Sequence, residues 1–217
     1  MLIKQHDAAF GDDEWRNFLA GHDFGQFVAS GRNRDVPIIV PTHFIFDGIQ
    51  TILFHLARAN PVWKALEENP KAILSVAGAY AYIPTGVNAG ENEPAGYGVP
   101  TSYYAAVQAV GVCESVDGDQ LASILASQLA HFQPEGGHAE VEMGDNPYAR
   151  LLPAIRGIRL EVSDVRAKFK FGGNKTVEHR LRIAKWLAGQ DTPLTQEARS
   201  QLIRRLESPI LSDGESS

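Results

Sequence analysis

Within ten residues, His55, Arg58, Asn60 and Lys64 bring an imidazole, a guanidinium, an amide and an ammonium to one junction. The segment follows a short apolar run, Thr51 to Phe54, and leads into a predicted helical turn from Val62 to Glu68 and a strand from Ala72 to Val76. Strand ends and helix N-termini expose unpaired N–H groups and the positive end of a dipole, which favours a phosphate or another anion. Cationic side chains strengthen such a site through charge-assisted hydrogen bonds. The plain alternative is a surface turn with solvated Arg58 and Lys64, in which Asn60 caps a helix that begins with Pro61. Both readings can hold for Asn60.

Other residues carry chemistry of their own. His43 follows Thr42 at a predicted strand end, where a titratable imidazole could serve a ligand or simply be a satisfied structural group. Thr101, Tyr103 and Tyr104 follow Pro100, and aromatic rings with a neighbouring hydroxyl suit a flat heterocycle as well as they suit a barrel mouth. Lys168 and Lys170 alternate, which places them on one face of a strand, and Asn174 and Lys175 follow Gly172-Gly173. A glycine pair permits close backbone approach to a ligand. The same lysines would also protect an exposed edge strand. His131, His138, Glu135, Glu140 and Glu142 match no metal-ligand template, so no metal is expected. No nucleophile–base arrangement and no nucleotide-hydrolase glycine loop is present, which leaves catalytic residues and enzymatic activity open.

Bulk properties narrow the class. The chain has 217 residues, 44% of them hydrophobic, enough for one sizeable core. No apolar run is long enough to span a membrane, and no apolar leader is visible, so a cytoplasmic location is expected. The single cysteine, Cys113, lies in an apolar strand pattern and reads as a packed, inert thiol. Net charge is −6 but uneven: residues 1–149 carry 7 basic and 18 acidic residues, and residues 150–190 carry 10 basic and 3 acidic. The acidic body argues against a general nucleic-acid binder. The basic block could be a nucleic-acid face, an anion site or a complement to the acidic body in a dimer.

The elements that must position these residues are short strands. Asp12 or Asp13 can cap a helix to Ala20, with Gly21 ending it in the left-handed conformation. Phe24–Ser30 and Val36–Val40 form a predicted hairpin, as do Phe44–Phe46 and Gln50–Phe54 around Asp47-Gly48. Ala72–Val76 and Ala79–Ile83 add strands around Gly78. Residues 84–98, rich in Gly and Pro, read as a flexible loop. Tyr104–Val116 is a long strand with Gly111 as a candidate bulge. Asp117-Gly118-Asp119 caps a helix to His131. Pro147 starts a short helix to Leu152, and Ile155–Val162 and Val165–Phe171 close the sheet. Lys175–Ala188 is an amphipathic helix with Val177, Leu181, Ala184 and Ala188 on one face, Leu194–Leu206 is a further helix, and residues 208–217 read as a tail. Many short strands with a few helices predict a mainly β fold with flanking helices, an antiparallel barrel closed or nearly so.

Several ordered motifs resemble the PaiB-type family of FMN-binding negative transcriptional regulators. They are Met1 to His6, the helix Asp13 to Ala20 with its following strand, Thr42-His43-Phe44 with Asp47-Gly48, the His55–Lys64 segment, Ala79 to Ile83, Val99-Pro100-Thr101, and Lys168-Phe169-Lys170 with Asn174. The resemblance runs from residue 1 to about 188. It implies an FMN-binding split barrel, a homodimer, and a flavin in the crevice between protomers. It further implies a phosphate side at His55, Arg58, Asn60 and Lys64, with His43, Thr101, Tyr103, Lys170 and Asn174 as the remaining cofactor candidates. Departures fall on the ring side. Pro84 to Asn88 replaces a Ser-Pro-Ser-Trp-Tyr run, Ser102 and Tyr103 stand where the family has Trp and Asn, and Gln108 stands where it has His.

The expected organisation is a split-barrel domain over residues 1–190, a C-terminal helix over 191–207 and a tail. The expected function is a flavin-binding transcriptional regulator, with DNA a weakly supported partner because no recognition helix is evident. A flavin-dependent oxidoreductase and a cofactor-free dimeric interaction module are the alternatives.

Overall fold

The computed structural model describes residues 1–141 and 148–207. Seven strands form one sheet: β1 Phe24–Ala29, β2 Ile38–His43, β3 Ile45–Phe46, β4 Thr51–Ala57, β5 Lys71–Ile83, β6 Thr101–Val116 and β7 Ile155–Lys170. Their order is β2-β1-β5-β6-β7-β4-β3. The edge strands β2 and β3 are consecutive in sequence and joined by Phe44 alone, yet they do not pair with each other. The sheet is therefore not closed, and the fold is the split-barrel type with flanking helices. Pro41 is tolerated in β2 because that strand is an edge.

Six helices accompany the sheet among the described residues: α1 Asp12–Ala20, α2 Val62–Glu68, α3 Thr85–Asn88, α4 Gly118–Phe132, α5 Val177–Leu187 and α6 Pro193–Glu207. The chain divides into two compact units. One comprises Met1–Glu14, Ala77–Val107 and the chain from Ala167; the other comprises Trp15–Val76 and Gln108–Arg166. Each has its own core: Tyr103, Phe169, Phe171, Ile183 and Leu202 are buried in the first, and Leu19, Phe27, Phe54, Leu74 and Leu121 in the second.

Both predicted hairpins form. β1 pairs with β2 from Phe24 opposite His43 to Ala29 opposite Ile38, two residues later than the alternation in Val36–Val40 suggests. The Asp47 carboxylate closes the second hairpin by accepting from the N–H groups of Ile49, Gln50 and Thr51 at 2.8–2.9 Å.

Several expectations are corrected. The strands around Gly78 are one continuous β5. There Ala79 takes a left-handed φ of 52° and gives its N–H to the Glu197 carboxylate at 3.0 Å instead of ending the strand. The two closing strands are likewise one, β7. Gly111 lies within β6, where a Cβ would collide with the Glu161 carbonyl of β7, so close strand approach explains it. Gly21 has no left-handed φ; α1 ends on its own Gly21 N–H to Asn17 carbonyl bond. Residues 84–98, read as a loop, contain α3 and a 3-10 turn at Ala95–Tyr97. Leu152 begins a 3-10 turn to Ala154 where a helix was expected to end; its predicted start at Pro147, with Glu142 and the 208–217 tail, lies outside the described residues.

The largest correction is the buried face of α5. The Thr176 hydroxyl accepts from the His179 N–H at 3.2 Å, so the helix begins at Val177. Its buried stripe is His179, Arg180, Ile183, Ala184 and Leu187, while Val177 and Leu181 are half exposed. The apolar period failed because two of the inward positions are polar.

Candidate functional site

In the second unit, the Arg58 donors of the His55–Lys64 junction are spent inside the protein. Arg58 Nε donates to the Pro153 carbonyl at 3.0 Å, and its Nη2 donates to the Ile155 carbonyl at 3.1 Å and to the Asp117 carboxylate. Asp117 also pairs with Arg156 at 3.3 Å; its side chain caps no helix, contrary to expectation. The Asn60 side-chain oxygen accepts from the Val62 N–H at 3.0 Å, and the Trp63 indole donates to the Ala57 carbonyl at 2.8 Å. α2 is only seven residues long. Lys64 is exposed.

His55 lies beside Gln128 of α4, its Nδ1 at 2.6 Å from the amide oxygen. The His43 ring stands edge-on to it, with centroids 5.4 Å apart, and also meets Phe132 at 5.2 Å. Burial first, then the neighbouring His55, holds the His43 imidazole below the usual histidine range, and Asp23 opposes this. The two imidazoles thus belong to a packed seam between α4 and the strands. The Cys113 thiol is pushed up to about 12 by burial, as an inert thiol requires.

The first unit gathers the remaining candidates around a cavity of about 380 Å³. Thr101, Tyr103, Lys170 and Asn174 line it, together with Lys4, Lys168 and Lys175; Asp7 is the one carboxylate in its wall. Lys170 Nζ donates to Thr101 Oγ1 at 2.7 Å, which fixes the ammonium between β6 and β7. Lys168 Nζ donates to the Leu2 carbonyl at 2.9 Å, stands 3.9 Å from Asp7 and lies over the Tyr104 ring. Gly172 adopts φ 68°, and a Cβ there would strike the Tyr103 hydroxyl; a Cβ at Gly173 would strike the His6 carbonyl. The glycine pair therefore lets this turn close on the cavity wall.

Tyr103 is 2% exposed and its hydroxyl has no hydrogen-bond partner. Burial pushes its phenol up to about 12, so it is neutral and free to donate. Asn88 also lines the cavity. Its amide nitrogen donates to the Val99 carbonyl, and its oxygen faces His179 Nε2 at 3.0 Å. Asn88, Lys4, His179 and Arg180 were not among the expected site residues. Asn88 was hidden in an apparent loop, and the two α5 residues by an apolar period that pointed elsewhere.

The polar set is four ammonium groups, two amides and an orphaned phenol against one carboxylate. It fits a phosphate and the polar chain of a nucleotide-like ligand. Besides the His6 imidazole, Tyr103 is the one aromatic side chain in the wall, and it is buried, so this cavity offers no stacking platform. Arg156, Arg159 and Arg166 of the basic block each stand beside a carboxylate, of Asp117, Glu161 and Asp164. Lys168, Lys170 and Lys175 of the basic block line the cavity. Among the described residues, no helix is long and apolar enough to cross a membrane.

The family described as "Putative FMN-binding domain" matches residues 1–164. The protease synthase and sporulation protein PAI 2 of Bacillus subtilis is 22% identical over 213 residues, covering 97% of this chain and 100% of its own. That similarity extends beyond residue 188. Among solved structures, an FAD and heme binding protein from Mycobacterium smegmatis superposes with a TM-score of 0.58 at 16% identity, covering 84% of this chain and 80% of its own. The flavocytochrome Anf3 from Azotobacter vinelandii superposes with a TM-score of 0.52 at 18% identity, covering 78% and 73%. At such identities the structural likeness shows the fold.

Proposed function

The chain belongs to the FMN-binding family that matches residues 1–164, and from that premise we propose that it is a PaiB-type regulator whose ligand, FMN, is held by its phosphate in the cavity of the first unit. The observation that carries this reading is the cavity's charge: Lys4, Lys168, Lys170 and Lys175 against Asp7 alone. Lys170, already fixed by Thr101, is the ammonium best placed to meet a phosphate without further ordering. Lys175 and Lys4 add charge, and Asn174 adds an amide. The bound flavin supplies a redox-active ring.

Regulation in this reading follows flavin occupancy rather than a broad basic face, because Arg156, Arg159 and Arg166 of the basic block already stand beside carboxylates. A homodimer with flavin between protomers, and DNA as the downstream partner, belong to the same proposal.

The test is a titration of flavin fluorescence with FMN and with riboflavin, which lacks the phosphate. FMN is expected to bind at least ten times more tightly. Lys170→Ala is expected to erase most of that difference, since a charge-assisted hydrogen bond contributes about 1.5–3 kcal/mol. Equal affinity for both flavins would remove the phosphate from the cavity, and absence of binding to either would remove the flavin reading.

A further inference from the structure

One group behind the cavity wall is out of place for a folded protein. Arg180 of α5 is 4% exposed, its Nε has no hydrogen-bond partner, and among the described residues no carboxylate pairs with it. Elsewhere in the same unit a buried guanidinium is fully provided for: Arg205 is 2% exposed and grips both oxygens of Glu14 at 2.7 Å. Arg180 lies against Gly172, its Cγ 3.7 Å from where a Cβ of that residue would stand. Gly172 and Tyr103 are both part of the cavity wall. A buried guanidinium without a carboxylate to pair with costs stability, and that cost is tolerable where an anion enters to compensate it. The orphaned Tyr103 hydroxyl, itself in the wall, is a donor with nothing to donate to.

We propose that Arg180 and Tyr103 form a buried selector for doubly charged phosphate monoesters, Tyr103 donating to the phosphate from the cavity wall and Arg180 supplying uncompensated positive charge from behind it. The inference rests on the phosphate reading above and names its specificity: a terminal monoester, as in FMN, over a pyrophosphate linkage, as in FAD, whose two phosphates carry one charge each, and over uncharged riboflavin. The four cavity lysines alone would attract any polyanion. A fixed charge in a low-dielectric wall responds more steeply to the second negative charge on one phosphate. Arg180 does not touch the ligand in this arrangement and is a positioning residue; Tyr103 is a binding residue.

The experiment combines ligand affinity with stability. Wild-type protein, Arg180→Met and Tyr103→Phe are titrated with FMN, FAD and riboflavin, and each protein is also melted without ligand. Wild-type protein is expected to prefer FMN to FAD by tenfold or more. Arg180→Met is expected to lose most of that preference, leave riboflavin binding unchanged and melt no lower than wild type, because it removes an unpaired buried charge. Tyr103→Phe is expected to lose severalfold in FMN affinity and not in riboflavin affinity. A lower melting temperature for Arg180→Met would mean that Arg180 serves the fold, and would overturn the selector. So would an unchanged FMN-to-FAD ratio in that variant. Equal binding of FMN and riboflavin by the wild type is the separate result that would remove the phosphate reading itself.

Discussion

His43 and His179 are two imidazoles that the fold keeps below the usual histidine range, and each is a liability in acid. For His43 the causes are burial and then His55; for His179 they are burial and then Arg182, whose Nη2 stands 3.1 Å from His179 Nδ1. With Nδ1 facing that guanidinium and Nε2 facing the Asn88 oxygen, the neutral tautomer protonated on Nε2 satisfies both neighbours. A depressed folded value means that the unfolded chain binds the proton more readily. The stability contributed by the neutral rings is therefore complete above about pH 6.5, the ordinary histidine value, and is lost as pH falls through the lower folded values. Chemical denaturation between pH 7.5 and 5 should show a falling midpoint. His179→Gln, which cannot titrate, should flatten that fall while costing about 1 kcal/mol at pH 7.5 through one imperfect hydrogen bond. A midpoint independent of pH in the wild type would show that neither ring is held neutral by the fold.

Arg58 belongs to the scale of elements, because it fastens the end of β4 to the start of β7 and, through Asp117, to the residue preceding α4. Arg58→Ala should lower unfolding stability by roughly 1–2 kcal/mol, a figure reduced from that of a buried charged hydrogen bond because the side chains are partly exposed. FMN affinity should change little. Weakened FMN binding at unchanged stability would return Arg58 to the phosphate. The contrast shows what the sequence could and could not tell. Hairpins were legible because Asp47-Gly48 and the alternation around it act within a few residues. The sheet's long strands were not, because Gly78 and the Ser163-Asp164 pair look like breaks until partners hold the chain through them. Thr101, Tyr103, Lys170 and Asn174 were legible as neighbours because strand alternation and a glycine pair align them. Asn88 and Arg180 were not, since a polar residue turned inward has no periodic signature. Arg58, in turn, looks like an anion ligand until its acceptors, nearly a hundred residues away for Pro153 and Ile155, are in place.

At the scale of the whole molecule, the first unit is assembled from three stretches of chain and must hold its ends together. The fastening is Glu14 against Arg205: the guanidinium meets both carboxylate oxygens at 2.7 Å, donates to the Ala8 carbonyl at 2.9 Å and lies 3.7 Å from the centre of the Phe10 ring. Arg204 adds a second contact to Glu14, and the Phe10 N–H a third at 2.6 Å. Burial alone would raise the Glu14 carboxyl, but Arg205, Arg204 and the Phe10 N–H outweigh it and hold the group below the usual carboxylate range. Breaking the pair from one side leaves a buried charge. Arg205→Ala should therefore cost about 3–5 kcal/mol, whereas replacing both partners by apolar residues of similar size should cost far less. The sign with pH follows from the depressed carboxyl: its stabilisation is complete above the ordinary glutamate value and disappears as pH falls through the lower folded one. Acid should thus release α6 from the N-terminal segment, while the second unit, which contains neither residue, keeps its own core. Hydrogen exchange at descending pH would check this, with amides of α6 and residues 8–14 losing protection together and before those of β1 and β4. Simultaneous loss of protection across both units would show that the fastening does not define a separate unit of stability.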